Sequence, residues 1–354
     1  MSVPRLESLG VARDGEALIA CTVEAPNGIR LRVLNLGGIV QSLHVPDAAG
    51  DLADVVLGFD DAADYLSNRF YLGAIVGRYA NRIAGGAFPL DGATVQVTQN
   101  QGRNHLHGGT RGFDKVRWTM TPFAHAGVRG VVLEHTSPDG DEGFLGCLRT
   151  RVTYSLSDGG EWDVEFHAES DGPTPVNLTQ HSYFNLSGAG TALDHRLRIS
   201  AERYLKQTPE QIPTGEVALV AGTGFDLRRE RTLRDAISEA DVGAGGLDHS
   251  YVFGDSAGML VKAAELFDPQ SGRRLTVSTT APSVHCYTAR YLDQVTGKSG
   301  ASYRPFDAVC LEAQHYPDAP NHPHFPSTIV RPGVPYHTLT RFTFSTRAPT
   351  HTPR

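Results

Sequence analysis

Three short stretches of this sequence concentrate side chains able to move protons or hold hydroxyl groups. In Ala308-Val309-Cys310-Leu311-Glu312-Ala313-Gln314-His315, an extended backbone puts Val309, Leu311 and Ala313 on one face and turns Cys310, Glu312 and Gln314 to the other. A lone carboxylate in so apolar a strand is costly to bury unless it is ion-paired or used in chemistry. In Asn177-Leu178-Thr179-Gln180-His181-Ser182-Tyr183-Phe184-Asn185-Leu186, the residues Asn177, Thr179, His181, Tyr183 and Asn185 fall together, with Leu178, Phe184 and Leu186 opposite. That face is polar but uncharged, unlike the Lys/Glu mixture of a solvated strand. Neutral donors and acceptors at fixed positions suit a sugar; an exposed polar edge strand would read the same way. The third stretch, Asn104-His105-Leu106-His107-Gly108-Gly109, closely follows Gly77-Arg78-Tyr79-Ala80-Asn81-Arg82-Ile83. Its glycines predict a backbone able to approach a ligand closely. A surface turn with incidental histidines is the plainer alternative.

Other chemistries find little support. Of the fifteen histidines, His315, His322 and His324 look like metal ligands, but Pro323 holds the last two apart on extended backbone. No cysteine or carboxylate spacing completes a zinc set, so no metal is expected. Gly297-Lys298-Ser299 ends like a phosphate-binding loop, yet Leu292 stands where its first glycine belongs. Neither a Gly-x-Ser-x-Gly elbow nor a strand–GxGxxG–helix unit is present.

The elements that must position these stretches are strands. Leu148, Thr150, Val152, Tyr154 and Leu156 alternate with polar residues, Asp158-Gly159-Gly160 turns the chain, and Trp162, Val164, Phe166 and Ala168 alternate again. The pattern predicts a hairpin with one buried face. Similar runs lie near 31–36, 94–98, 130–135, 275–279, 306–313 and 336–344, and one helical stretch spans about 228–240. Glycine and proline, at 38 and 21 residues, exceed their combined average share of roughly 12% and fit a chain with many turns. With no linker or repeat across its 354 residues, one large antiparallel β-sandwich domain over 1–354 is the expectation.

Net charge is −7 with no basic run, so neither nucleic acid nor an anionic membrane is an expected partner. The four scattered cysteines form no disulfide framework. Residues 1–10 lack the apolar core of a signal peptide, and no run reaches transmembrane length. A cytoplasmic protein is expected, in which the sequons at Asn177 and Asn185 have no meaning.

Taken in order along the chain, the motifs resemble the aldose 1-epimerase (galactose mutarotase) family over nearly the whole length. They are Asn35-Leu36-Gly37-Gly38, Leu57-Gly58-Phe59-Asp60, Gly77 through Arg82, Asn104 through Gly109, Gly112-Phe113-Asp114-Lys115, and Asp139 through Phe144. After these come Asn177 through Leu186, Leu247-Asp248-His249, Leu311 through Gln314, and Pro317-Asp318-Ala319-Pro320-Asn321. The resemblance implies the mutarotase-like β-sandwich, whose concave face holds a free aldose such as galactose or glucose, and interconversion of its α and β anomers without a cofactor. Glu312 matches the family's general base and His181 its general acid. Asn81, Arg82, His107 and Asp248 match positions that hold hydroxyls or polarise the ring oxygen, and Tyr183 is a further candidate for lining the site. Such a pair is expected on opposite sides of the C1–O5 bond, with Glu312 ionised and His181 protonated through mutual attraction.

One departure bears on substrate choice. In Val284-His285-Cys286-Tyr287-Thr288, His285 stands where many members carry Gln, and Ala289-Arg290 replace Gly-Asn. His285 is therefore expected to touch the sugar and alter a hydroxyl contact, which leaves open the preferred aldose. Three other functions fit parts of the sequence. A non-catalytic carbohydrate-binding protein on the same fold would not need Glu312 and His181. A hexose-6-phosphate 1-epimerase would want Arg78 or Arg111 to join Arg82. A glycosidase would pair Asp248 with Glu312. Oligomeric state is not legible.

Overall fold

The computed structural model describes residues 2–240, 245–254 and 258–347. The predicted hairpin forms from Leu148–Ser157 and Glu161–Ser170, with Leu156 opposite Trp162, Tyr154 opposite Val164 and Val152 opposite Phe166. These alternating residues are buried while their neighbours reach solvent or are half-buried, as period-2 burial requires. The hairpin supplies the third and fourth strands of a nine-stranded antiparallel sheet. Its strand order is Thr119–His125, Val128–Ser137, Leu148–Ser157, Glu161–Ser170, Tyr336–Thr346, Arg273–Thr279, Val261–Phe267, Arg196–Ile199 and Arg231–Thr232.

Two five-stranded antiparallel sheets complete the layers. One is an N-terminal meander running from Leu6–Val11 to Leu52–Asp54. The other is ordered Pro213–Leu219, Arg203–Gln207, Asp248–Val252, Ser283–Tyr287 and Cys310–Gln314. Val152, Trp162, Val277 and Phe342 of the large sheet share one core with Leu31 and Leu43 of the meander and with Tyr251, Cys286 and Leu311 of the third sheet. Sheets packed face to face over such a core make a sandwich. Trp162 anchors it, stacked on Phe342 at 4.6 Å and edge-on to Tyr154 at 5.8 Å.

Strands occupy every region where alternation predicts them, with shifted ends. The run expected from 306 begins at Cys310, because Asp307 accepts from the Arg304 N–H and closes a turn there. The helix expected over 228–240 is confined to Leu233–Glu239. Arg231–Thr232 is instead drawn into the large sheet beside Arg196 and Leu197, and the Thr232 hydroxyl then caps the helix by accepting from the Asp235 N–H.

The stretch at 177–186 departs from the single extended strand expected. Only Thr179–His181 is a strand, paired with Ala74–Val76, and both faces of 177–186 are buried. Three of its polar residues fasten the backbone. Asn177 donates to the Ala80 carbonyl and accepts from the His315 N–H, Thr179 donates to the Ala313 carbonyl, and Asn185 donates to the carbonyls of Gly190 and Asp307. Among the described residues, no helix is long and apolar enough to cross a membrane.

Candidate active site

Strand register brings the first elements of the site into line. Glu312 lies opposite His285, which lies opposite Ser250, so one row of side chains crosses three neighbouring strands. Tyr287 and Asp248, two residues along from His285 and Ser250, face the same way and also pair with each other. His181 arrives from the far side on Thr179–His181. Arg82–Ile83 pairs with His105–Leu106, which sets Asn81, Arg82 and His107 at the rim. The Pro-rich loop clamps this rim from behind, where Asp318 receives the Ala84 N–H and gives its own N–H to the Arg82 carbonyl.

The result is a cavity of about 300 Å³ whose lining includes Glu312, His181, Asn81, Arg82, His107, Tyr183, Asp248 and His285. That is the small end of ligand sites, the size of a single small molecule. Glu312 and His181 are 1% and 3% exposed, and His181 Nε2 lies 3.6 Å from Glu312 Oε1. Among the described residues, Glu312 Oε2 and His181 Nδ1 have no hydrogen-bond partner. Orphaned buried polar atoms are rare and need an explanation. The two groups stand side by side rather than facing each other across a gap.

The expected ion pair is not what burial favours. Burial pushes the Glu312 carboxyl well above its usual range; Asp248 pushes it further, and Arg82 opposes. Burial likewise takes His181 down to about 3. A charged pair at 3.6 Å lacks the short hydrogen bond that would offset the loss of water around both ions. Burial therefore favours a carboxylic acid beside a neutral imidazole over the charged pair.

Rings fix the imidazole in place. Tyr183 stacks on His181 at 5.1 Å, and His107 meets it edge-on at 5.4 Å. The Tyr183 hydroxyl is already spent on the Phe70 carbonyl, so Tyr183 supports the site as a ring and not as a donor to a guest. His107 Nδ1 accepts the Asn81 N–H, at 3.2 Å. Burial, with His181 and Arg82 nearby, holds His107 neutral, so its hydrogen is assigned to Nε2, away from the Asn81 N–H.

A hydrogen-bonded chain forms the opposite rim. Arg82 donates to Gln101 at 2.7 Å and to Gln211 at 2.6 Å, and Gln211 donates to Asp248. Burial alone would raise Asp248, but the hydrogen bond from His285, with Arg82 nearby, overcomes it and holds the carboxyl at about 2. Asp248 is thus a fixed anionic acceptor.

All eight residues singled out from the sequence border this cavity. His105 does not; it is a core residue, its Nδ1 on the Thr98 carbonyl and its ring edge-on to Phe144. The glycine pair also acts differently from expectation. A Cβ at Gly108 would overlap the Gly77 carbonyl and one at Gly109 the Glu142 side chain, so the close approach is between two protein segments and not to a ligand. Among the described residues no three His, Cys, Asp or Glu side chains converge to hold a metal ion.

Sequence reasoning missed Tyr71, Gln101, Tyr287 and Tyr291 in the lining, and Gln211, which bonds Arg82 and Asp248 from outside it. Tyr287 carried a usable signal, two residues from His285 on the same strand face. The others sit in irregular segments with no periodicity to read.

A family model described as aldose 1-epimerase matches residues 20–343. The chain is 44% identical to the galactose mutarotase of Bos taurus over 320 residues, 90% of this chain and 91% of that protein. It is 33% identical to the aldose 1-epimerase of Escherichia coli K12 over 343 residues, 96% and 98% of the two chains. Among solved structures, an aldose epimerase homologue from C. elegans aligns with a TM-score of 0.84 at 31% identity, covering 92% of this chain and 98% of that one. Galactose 1-epimerase from Lactobacillus acidophilus aligns with a TM-score of 0.85 at 27% identity, covering 97% and 99%.

Proposed function

The chain belongs to the aldose 1-epimerase family, and on that premise we propose that the cavity opens and recloses the ring of a free aldose such as galactose or glucose, with Glu312 and His181 moving the protons. The observation that carries this reading is the pair itself: a buried carboxyl and a buried imidazole 3.6 Å apart, each with a polar atom that has no partner among the described residues.

Ring opening needs a proton taken from the C1 hydroxyl and one given to the ring oxygen. Both oxygens are bonded to C1, so acid and base must be neighbours, as these two groups are. With the pair's one proton on His181, Glu312 receives the hydroxyl proton and His181 protonates the ring oxygen as the C1–O5 bond breaks. The aldehyde turns about C1–C2 and closes from its other face with the transfers reversed. After ring opening the carboxyl is protonated and the imidazole neutral. This is the state that burial favours, so the site's electrostatics support the open-chain intermediate over the closed ring. Only protons move, and the reaction uses no cofactor.

Asn81, Arg82, Asp248 and the Nε2–H of His107 supply the donors and acceptors that hold the sugar. Neither Arg78 nor Arg111 joins Arg82 in lining the cavity, and Arg69, which does, is exposed. Arg78 is buried against the Leu145 and Gly146 carbonyls, and Arg111 is exposed beside Glu142. A free aldose is therefore favoured over a sugar phosphate, and the proton-transfer pair over simple carbohydrate binding. The same reading takes the chain as one domain, supported by a core cluster that runs from Cys21 to Phe344. A cytoplasmic location is in keeping with four free cysteines.

Polarimetry tests the proposal. Freshly dissolved α-galactose, α-glucose and several pentoses should reach anomeric equilibrium faster with the protein than without it. No acceleration for any free aldose would overturn the reading.

A further inference from the structure

His285 borders the cavity, yet both its ring nitrogens are engaged elsewhere. Nε2 lies 2.7 Å from Asp248 Oδ1, and Nδ1 lies 2.8 Å from Ser250 Oγ. An ionised carboxylate only accepts, so Nε2 carries the hydrogen. In the neutral ring Nδ1 is then an acceptor, and the Ser250 hydroxyl is its donor. Strand pairing sets this arrangement, because Ser250 is directly opposite His285 and Asp248 lies two residues from Ser250 on the same face. All three are buried, at 3%, 4% and 7% exposure.

We infer that Ser250 and His285 are a positioning pair for Asp248: the serine hydroxyl anchors the His285 ring through Nδ1, and His285 fixes the carboxylate that receives a sugar hydroxyl. This rests on the reading of Asp248 as a sugar-binding acceptor. It revises the expectation that His285 itself meets the sugar, because a ring with both nitrogens bonded has none left to offer. Gln211 Nε2 holds the other oxygen, Oδ2. The carboxylate is thereby gripped at both ends while each oxygen keeps a lone pair for the guest. Without the Ser250 hydroxyl, Nδ1 is a buried acceptor lacking a donor. Nε2–H still bonds Asp248, but the ring is then held at one nitrogen only and no longer fixes where the carboxylate sits. Supporting groups of this kind orient the residues that make the contact.

The test combines kinetics with nitrogen-15 NMR of the histidine rings. In the free wild-type protein His285 should show a protonated Nε2 and a bare Nδ1 that accepts a hydrogen bond, and S250A should leave the hydrogen on Nε2 while moving the Nδ1 shift to that of an unbonded imine nitrogen. S250A should raise KM for the aldose roughly tenfold, about what one buried hydrogen bond contributes, with kcat within about twofold of wild type. S250T, which keeps the hydroxyl, should restore KM. In a D248N background S250A should change KM by less than about twofold, since residues acting through one another are not additive. An unchanged KM in S250A, an undiminished effect in D248N, or a wild-type His285 carrying its hydrogen on Nδ1 or on both nitrogens would overturn the assignment. The NMR arm needs no sugar, so it stands even if the wild-type protein fails to accelerate mutarotation, a result that would count against the proposed function alone.

Discussion

His181 Nε2 and Glu312 Oε1 lie 3.6 Å apart, beyond hydrogen-bonding distance but well within reach of each other's charge. The gap leaves each group free to bond a different oxygen of a guest, and two oxygens on one carbon fit it. Neither group can change protonation without the other sensing it, so the two behave as one unit that holds a shared proton.

Replacing Glu312 by glutamine tests the base. The amide preserves size and hydrogen-bonding shape but accepts no proton. A positioned general base contributes about 10²–10⁴-fold, so kcat should fall by at least a hundredfold while circular dichroism and sugar binding are retained. A folded E312Q protein keeping more than about a tenth of wild-type kcat would remove Glu312 from the chemistry.

Asp248 and His181 should leave different kinetic marks. Asp248 is a fixed acceptor held by His285 and Gln211, so D248N should raise KM more than it lowers kcat. H181N should mainly lower kcat, because His181 itself protonates the ring oxygen of the breaking bond. Steady-state polarimetry on both variants decides this, and matching signatures would dissolve the division of labour.

How much of this was legible depends on whether local pattern or tertiary packing places a residue. The Leu148–Ser170 hairpin was readable because burial on one face imposes a strict period of two, which tolerates no slip. Glu312 was readable because a carboxylate is conspicuous among Val309, Leu311 and Ala313. Gln101 and Gln211 were not, since they enter the site from separate irregular segments and meet only through Arg82. The polar face assigned to 177–185 dissolved for a related reason. The chain leaves the extended form after His181, and Asn177, Thr179 and Asn185 serve neighbouring backbone instead of a guest. His285 shows a subtler limit. Its place beside the site followed from the motif, but its engagement with Ser250 follows only from strand register.

The rim carrying His107 depends on Gly108. That residue has φ of +91°, and a Cβ there would overlap the Gly77 carbonyl. Gly102 also has positive φ, at +59°, but a Cβ would meet nothing within 4 Å. G102A should therefore cost about 1 kcal/mol from backbone strain alone, and G108A clearly more, above about 3 kcal/mol. Denaturant melts of the two variants measure the difference. Equal losses would mean that the contact between the two segments is not tight.

The protonation of the pair makes a prediction about stability as well as catalysis. Glu312 has a native pKa raised above the ordinary 4.5 by burial. From pH 4.5 upward the unfolded chain releases this proton while the native protein keeps it, so the native state binds more protons and its stability falls as pH rises. His181 acts over a lower window. Its native pKa of about 3 lies below the ordinary 6.5, so between those values the unfolded chain binds the extra proton and stability falls as pH drops. E312Q removes only the first contribution. It should melt at a higher temperature than wild type at pH 7, and the advantage should shrink towards pH 4.5. In the wild-type enzyme the active, singly protonated pair should persist at neutral pH. The acidic limb of kcat/KM then belongs to gain of a second proton near pH 3 and the alkaline limb to loss of the shared one, macroscopic values of the pair and not of either residue. Nitrogen-15 shifts of His181 in the free protein at pH 7 should be those of a neutral ring. A charged His181 at pH 7, together with an E312Q variant no more stable than wild type, would show that the site holds an ion pair after all.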